Sequence, residues 1–208
     1  MRDMRIRVIA EIGLAVALFA VLELLALSLS AFWPAGGSIS LSMLPIVLIA
    51  LMRGPVVGII CGVLAGILDA ALLPGTYIVT PIQALLDYPV AYGLVGLAGL
   101  FKPGLFSRNG TTSNTAIAAK SNTTKIVILA VLGALVGSSA RFIAHFASGV
   151  IFFGMYAPDF QHPAVFSALY NIGYMGPSAL ATMVAAAIIY PILRKALNLD
   201  ADLEAAAE

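Results

Sequence analysis

Long apolar runs, separated by short polar stretches, make up most of this chain. At the length of about 20 residues with which a helix spans a bilayer, the runs form six segments, near residues 8–31, 39–52, 54–73, 81–101, 125–153 and 164–192. The second segment is short, and the third starts directly after MRGP, where Pro55 suits the first turn of a helix. These two segments are expected to form a bent hairpin. The pattern predicts an all-α membrane protein, a single domain of six transmembrane helices over residues 1–208.

Composition agrees with this prediction. The chain has 208 residues, of which 61% are hydrophobic and 10% are charged, and its mean hydropathy is +1.03. These values lie outside the usual range of soluble globular proteins, so a lipid bilayer is the expected surrounding. The single cysteine, Cys61, lies inside an apolar run and is interpreted as a packed core thiol. The first run is too long for a signal peptide.

Basic residues indicate the orientation in the membrane. Every Lys and Arg except Arg141 falls at the N-terminus, in the second loop, in the fourth loop or at the C-terminus. The other three loops, near 32–38, 74–80 and 154–163, contain neither residue type. The positive-inside bias therefore predicts that both termini are cytoplasmic, together with a polar loop at about 103–124 and a polar tail at about 194–208. A multi-pass protein of a prokaryotic cell membrane is expected.

Small residues recur at helical spacing in two segments. In the third, Gly54, Gly58, Gly62 and Gly66 are four positions apart, which predicts a groove that lets a neighbouring backbone approach closely. The first segment carries a smaller set that includes Gly13 and Ala17. That set is compatible with packing inside the protein and with docking of an external partner helix.

Six ionisable side chains fall within or at the ends of the apolar segments: Glu11, Glu23, Asp69, Asp87, Arg141 and His145. Such residues cost roughly 2.5 to 3.5 kcal/mol each at the centre of a membrane helix, so they need partners or a function. Glu11 lies beside the N-terminal arginines and is interpreted as an interfacial group. Asp69 is equally compatible with a capping role and with a site. Arg141 and Asp87 are either a structural ion pair or parts of a site.

Several of these groups are expected to meet in the outer half of the bundle. Arg141, His145 and Gly149 follow one another at four-residue steps, and Phe153 ends the same stripe. Asp87 lies early in the fourth segment. Aromatic residues are frequent at the same level: Trp33, Tyr77, Tyr88, Phe153, Tyr156, Phe166, Tyr170 and Tyr174. Ring faces attract cations and stack on heterocycles, so this pattern predicts a pocket for a small aromatic ligand that carries positive charge.

Three stretches in the same order resemble one known family. SISLSMLPIVLIALMRGP, PIQALLDYPVAYGLVGLAGLF and ARFIAHFASGVIFFGMYAP, followed by the Asn of YNIGYMGP, are similar to the thiamine-binding S-component of energy-coupling factor (ECF) vitamin transporters. The resemblance covers nearly the whole chain apart from the polar fourth loop and the tail. It implies a six-helix subunit that captures thiamine from outside and has no ATPase activity of its own. Transport would require a transmembrane coupling subunit and two cytoplasmic ATPases; no cofactor, metal or nucleic acid is implied.

The resemblance also implies site residues. The acidic pocket residue of the family falls on Asp87, where Glu is usual, and its neighbour falls on Tyr88. The pocket His falls on His145, the pocket Asn on Asn171, and the loop tryptophan on Trp33. Gly13 and Ala17 are similar to the Ala-x-x-x-Ala pattern by which S-components dock on the coupling subunit.

Two positions depart from the family pattern. Phe153 stands where a stacking Trp is expected, and Phe166 replaces a pocket Tyr, which removes a hydroxyl worth about 0.5 to 1.5 kcal/mol if hydrogen-bonded. With the shorter Asp87, these departures leave a thiamine precursor or another vitamin open as the ligand. A stand-alone secondary transporter and a membrane enzyme are the rival classes, although the sequence shows neither inverted repeats nor a recognisable catalytic motif.

A fixed positive charge repels a cationic ligand. Arg141 is therefore expected to lie beneath the pocket, paired with an acid or with backbone carbonyls, while His145 lies one turn nearer the ligand.

Overall fold

The computed structural model of the protein describes residues 2–30, 38–74, 76–105 and 123–198. Regular structure in these ranges is helical. The six main helices of the described ranges are α1 Arg2–Ser30, α2 Met43–Arg53, α3 Pro55–Leu72, α4 Pro81–Phe101, α5 Thr123–Phe152 and α6 Pro163–Ala196. Their bounds agree closely with the predicted segments. Within the described ranges, five of them are long and apolar enough to cross a membrane.

The second helix is the exception in length. α2 has 11 residues, which span about 16 Å at 1.5 Å per residue, roughly half of a bilayer's hydrocarbon core. It is also the most enclosed part of the fold, because every residue from Met43 to Leu51 is buried. The long helices α1, α3 and α6 instead carry exposed apolar side chains, among them Leu14, Val56 and Leu180. An apolar outer surface around a buried short helix is the arrangement expected in lipid.

Local sequence explains where several helices start. Proline is the first residue of α3, α4 and α6, a position where its missing N–H is not needed. The Thr80 hydroxyl caps α4 by accepting from the backbone N–H of Gln83. Between α2 and α3, Gly54 has a φ of 98°, a conformation that favours glycine. This single residue makes the predicted bend.

Close backbone contact joins α3 to α4. A Cβ added at Gly62 would overlap the carbonyl of Tyr92, and one at Gly66 would overlap the carbonyl of Tyr88. From the other side, a Cβ at Gly96 would overlap the backbone of α3 at Gly58. The predicted groove is therefore confirmed for Gly58, Gly62 and Gly66. Gly54 forms the bend instead of lying on that helical face, but α4 also approaches its backbone closely, because a Cβ added at Gly99 would overlap Gly54 and Pro55.

The fourth helix is not a uniform α-helix. An α-helical turn at Pro81–Leu85 is followed by a π-helical turn at Leu86–Val90, a second α-helical piece at Ala91–Val95 and a 3₁₀ end at Gly96–Phe101. Pro89 lies inside the π turn, and proline disturbs the regular α-helical hydrogen bonds because it lacks an N–H. Turns of this kind are frequent at functional sites, and this one carries Asp87 and Tyr88.

The end of the bundle that the charge pattern assigns to the cytoplasm holds an ionic cluster. Both carboxylate oxygens of Glu11 accept hydrogen bonds from the Arg53 guanidinium, at 2.7 and 2.6 Å, and Arg7 adds a bond of 3.1 Å. The contacts fit the interfacial interpretation of Glu11. Burial, with Arg53 and Arg194 nearby, lowers the pKa of Lys102.

Glu23 has partners that the sequence did not reveal. Its carboxylate accepts from the hydroxyls of Ser38 and Ser40, at 3.2 and 3.0 Å. The backbone N–H of Ser40 donates to the Ser178 hydroxyl at 3.0 Å. The bond from the Ser40 N–H satisfies one donor of the non-helical backbone that leads into α2, as backbone inside a membrane requires.

Candidate functional site

A cavity of about 480 Å³ opens at the end of the bundle that the charge pattern assigns to the outside. Its walls come from the π turn of α4, the last turns of α5, the first turns of α6 and the two outer loops that contain Tyr77 and Tyr156. Six of the seven residues predicted to bind substrate line it: Asp87, Tyr88, His145, Phe153, Phe166 and Asn171. The seventh, Trp33, lies outside the described residues.

The acidic centre of the cavity is Asp87. Its Oδ2 accepts a hydrogen bond of 2.6 Å from the Gln83 side-chain amide, one helical turn earlier. Its Oδ1 lies 3.5 Å from Nδ1 of His145 on α5. The side chains of Asp87 and His145 are only 10% and 14% exposed, so the carboxylate and the imidazole face each other in largely desolvated surroundings.

Three buried polar atoms at the cavity make no hydrogen bond of good geometry among the residues that the structure describes. They are His145 Nε2, Ser148 Oγ and Asp87 Oδ1, of which Oδ1 has only the long contact of 3.5 Å with His145 Nδ1. Buried polar atoms are almost always satisfied in native proteins, and an orphaned one costs about 1 to 3 kcal/mol. All three residues line the same space. Their grouping points to a ligand that supplies hydrogen-bonding groups of its own, at least one donor among them for the carboxylate oxygen.

Asn171 is held by a local network between α5 and α6. Its Nδ2 donates to the carbonyl of Ser167 at 2.9 Å, and its Oδ1 accepts from the Tyr174 hydroxyl at 2.9 Å. The Ser167 hydroxyl donates across to the carbonyl of Phe146 at 2.9 Å. The two helices approach closely here, because a Cβ added at Gly149 would overlap the Ser167 side chain. The network fixes one wall of the cavity.

Aromatic rings form two further walls. At the outer loops, Phe153 lies 6.1 Å from Tyr77 and 6.4 Å from Tyr156 between ring centroids. Along α6, Tyr170 lies 6.3 Å from Phe166 and 5.7 Å from Tyr174. These rings provide stacking surfaces, and the Asp87 carboxylate of the same cavity provides a counter-charge. The combination suits a cationic heteroaromatic ligand.

Arg141 does not line the cavity. It is buried one turn below His145, where its guanidinium donates to the Tyr92 hydroxyl at 3.0 Å and lies 4.1 Å above the Tyr92 ring centroid. The expectation that it lies beneath the pocket is confirmed. The expected partner was wrong, because the guanidinium donates to a phenol rather than to an acid or a carbonyl.

Gly13 and Ala17 lie apart from the cavity. Both are exposed on α1, and a Cβ added at Gly13 would meet no atom of the described protein within 4 Å. Internal packing therefore does not account for the small residue at position 13. In the described part of the chain, no group of three or more His, Cys, Asp and Glu residues is arranged to hold a metal ion.

Sequence reasoning missed three polar residues of the cavity: Gln83, Ser148 and Ser167. A signal for Gln83 was present, since it precedes Asp87 by four residues and such pairs share a helix face. The serines gave no comparable signal, because Ser is common in membrane helices as a packing residue.

The chain is similar to known proteins over most of its length. A profile of the family described as "Thiamine transporter protein (Thia_YuaJ)" matches residues 9–198. The thiamine transporter ThiT of Bacillus subtilis is 33% identical over 168 residues, which cover 80% of this chain and 82% of the relative. ThiT of Lacticaseibacillus paracasei is 33% identical over 154 residues, 73% of this chain and 70% of the relative. A solved structure of ThiT from Listeria monocytogenes superposes with a TM-score of 0.70 at 28% identity, covering 95% of this chain and 98% of that one.

Proposed function

Since the chain belongs to the thiamine transporter family, we propose that it binds thiamine in the outer cavity and serves as the substrate-binding subunit of a vitamin importer. It is a multi-pass membrane protein of a prokaryotic family of transporters rather than an enzyme. The observation that carries the proposal is the cavity itself. Asp87, with an unsatisfied oxygen, lies among aromatic walls that face a space of about 480 Å³.

Thiamine matches this lining in chemistry. It joins a cationic thiazolium ring to an aminopyrimidine ring, so it offers positive charge, stacking faces and hydrogen-bond donors. In our proposal Asp87 supplies the counter-charge, and Phe153 and Phe166 supply stacking surface. His145, Asn171 and the Tyr88 hydroxyl set the hydrogen-bonding pattern. For Trp33, which lies outside the described residues, the family resemblance alone supports a place at the site.

Energy for import would come from other proteins. The S-component resemblance supports a complex with an ECF coupling subunit in the membrane and two ATPase subunits, and we propose no ATPase activity for this chain. The exposed small residues Gly13 and Ala17 on α1 support a docking surface for the coupling subunit, because small side chains let two helices approach closely in lipid. Import would then require co-expressed partners.

A second candidate ligand is a thiamine precursor or another vitamin. The observation that favours it is the composition of the cavity wall, where Phe153 and Phe166 replace the Trp and Tyr of the family pattern and Asp87 replaces a longer Glu. The aromatic surface is smaller and one hydroxyl is missing. A stand-alone secondary transporter remains the alternative for energy coupling.

Calorimetry of detergent-purified protein against thiamine, its pyrimidine and thiazole precursors, riboflavin and biotin tests the proposal. Stoichiometric binding of thiamine with a change in Trp33 fluorescence is expected. Binding of riboflavin or biotin without any heat from thiamine would contradict the assigned substrate. Uptake by cells with and without ECF subunits separates the S-component from a stand-alone transporter, because only the former depends on ATPases.

A further inference from the structure

The side-chain amide of Gln83 is engaged on both of its ends. Its Nε2 donates to Asp87 Oδ2 at 2.6 Å and to the Tyr77 carbonyl at 3.2 Å. Its Oε1 accepts from the backbone N–H of Val79 at 3.0 Å. The residue is only 1% exposed. An amide has two donor hydrogens, so both are used, one on the acid of the cavity and one on the outer loop.

Hydrogen bonds, rather than packing, hold that loop over the cavity. Residues Tyr77 and Val79 are 61% and 48% exposed, so their burial contributes little to fixing the loop. Two backbone bonds go to Gln83, and a third runs from the Tyr77 N–H to the Tyr88 hydroxyl at 2.9 Å. Tyr77 also contributes its ring to the cavity wall beside Phe153.

The charge of Asp87 fixes which way the amide points. If the amide were reversed, its oxygen would face the carboxylate at hydrogen-bond distance, and two acceptors repel each other. The observed orientation is also the one that presents Nε2 to the Tyr77 carbonyl and Oε1 to the Val79 N–H. The carboxylate therefore selects the amide orientation on which the attachment of the loop depends.

We infer that Gln83 is a positioning residue that links the ligand-facing carboxylate of Asp87 to the outer loop at 77–79. Asp87 then holds the cation, and the Gln83 amide holds the loop at 77–79 closed over it. Each of the two stabilises the other, because the same amide contacts both Asp87 and the loop. The inference rests on the proposed function, because it assumes that the ligand engages Asp87. On this inference, Gln83 slows the dissociation of the ligand and has little effect on its association.

Release kinetics test this role. Thiamine binding to Gln83→Leu is followed by stopped-flow fluorescence of Trp33. The dissociation rate constant is expected to rise by about tenfold or more, equivalent to about 1.4 kcal/mol, while the association rate constant changes by less than about threefold. Gln161→Leu, at the only other glutamine, is the matched control, since it does not line the cavity. Equal dissociation rates in wild type and Gln83→Leu would overturn the inference.

A second variant separates positioning from simple packing. Gln83→Glu keeps the shape but places a second carboxylate against Asp87, so the pair needs a shared proton. The dissociation rate constant of thiamine from Gln83→Glu is expected to fall as the pH is lowered from 8 to 5. At low pH the introduced carboxyl group is protonated and can again donate a hydrogen bond to Asp87. Tyr77, Tyr88, Asp87, His145 and, at longer range, Arg141 also face this region, so wild type and Gln83→Leu are measured over the same range. A pH profile that parallels wild type would contradict the role.

Hydrogen exchange at the Val79 amide tests the loop attachment without any ligand. Exchange should be faster in Gln83→Leu than in wild type and unchanged in Gln161→Leu. Equal exchange in all three proteins would refute the attachment even if thiamine binds normally. Should Gln83→Leu not fold, the same measurement on Gln83→Met, which likewise has no amide to accept from the Val79 N–H, tests the attachment instead. Absence of thiamine binding by the wild type would instead reject the proposed function, and the link to ligand release with it.

Discussion

Replacing Asp87 by Asn removes one negative charge from the cavity and leaves its shape nearly unchanged. The Asn carbonyl can still accept from Gln83 Nε2, which lies 2.6 Å from the present Oδ2. The Asn amino group would then stand where Oδ1 now lies, 3.5 Å from His145 Nδ1. An acceptor that faces the ligand is thereby exchanged for a donor.

The size of the effect follows from the electrostatics. Two unit charges about 4 Å apart interact by about 4 kcal/mol at an effective dielectric constant of about 20. Part of this gain is offset, because binding the cation requires further desolvation of the carboxylate. A lost hydrogen bond to a charged group costs about 1.5 to 3 kcal/mol. We expect a loss of about 2 to 3 kcal/mol, so that the Kd for thiamine rises roughly 30- to 150-fold.

Isothermal titration calorimetry with two ligands isolates the charge contribution. Thiamine and an uncharged analogue with the same two rings are titrated into wild type and Asp87→Asn, which gives a thermodynamic cycle. Wild type should prefer the cation, and the variant should lose most of that preference. Asp159→Asn, the same change at an exposed residue of an outer loop, is the matched control and should bind as wild type does.

Two results would refute the reasoning. If Asp87→Asn binds thiamine within threefold of wild type, the carboxylate is not the counter-charge. If it loses affinity for both ligands equally, the role of Asp87 is to hold the shape of the cavity. A melting temperature close to that of wild type is required in either case, so that misfolding is not mistaken for lost binding.

Four further predictions concern other parts of the molecule. His145→Ala should weaken thiamine binding more than tenfold in calorimetry without lowering yield, and lost folding would instead indicate a structural histidine. Arg141→Ala should lower the melting temperature more than it lowers the affinity of the folded fraction; a well-folded variant that no longer binds would make the arginine a ligand contact. Gly62→Val should destabilise the protein by several kcal/mol in unfolding assays, because its side chain would overlap the backbone of α4. Leu at both Gly13 and Ala17 should abolish ATP-dependent uptake but spare binding, whereas normal uptake would remove this face from the docking surface.

Much of the helix arrangement could be predicted because lipid imposes simple rules. Length and hydropathy located the helices that the structure describes, and the four-residue spacing of Gly58, Gly62 and Gly66 predicted a close contact. The sequence did not identify α4 as the partner of that contact, since any helix with small residues fits such a groove. It also did not predict the π turn at Leu86–Val90, for which Pro89 was the only signal.

The sequence predicted which residues line the candidate site better than it predicted the hydrogen bonds between them. Ionisable residues are rare in membrane helices, so Asp87 and His145 were conspicuous. The aromatic residues clustered at one level of the bundle. Which side chains meet across two helices depends on how each helix is rotated about its axis and how deep it lies in the membrane. The spacing of residues within one helix determines neither. The partner predicted for Arg141 was therefore wrong, since its actual partner, Tyr92, lies 49 positions away in the chain.

The length of α2 has a consequence for how the protein is made. The membrane-insertion machinery recognises a helix by the free energy of moving it into lipid, and 11 residues are too few to span the hydrocarbon core. α2 alone would be a poor insertion signal, even though nearly all of its residues are apolar. Because Gly54 turns the chain directly into the 18 residues of α3, the two helices are expected to enter the bilayer together during translation. A chain that ends at Arg53 and has been released from the ribosome should then leave α2 accessible to aqueous thiol reagents at an introduced cysteine.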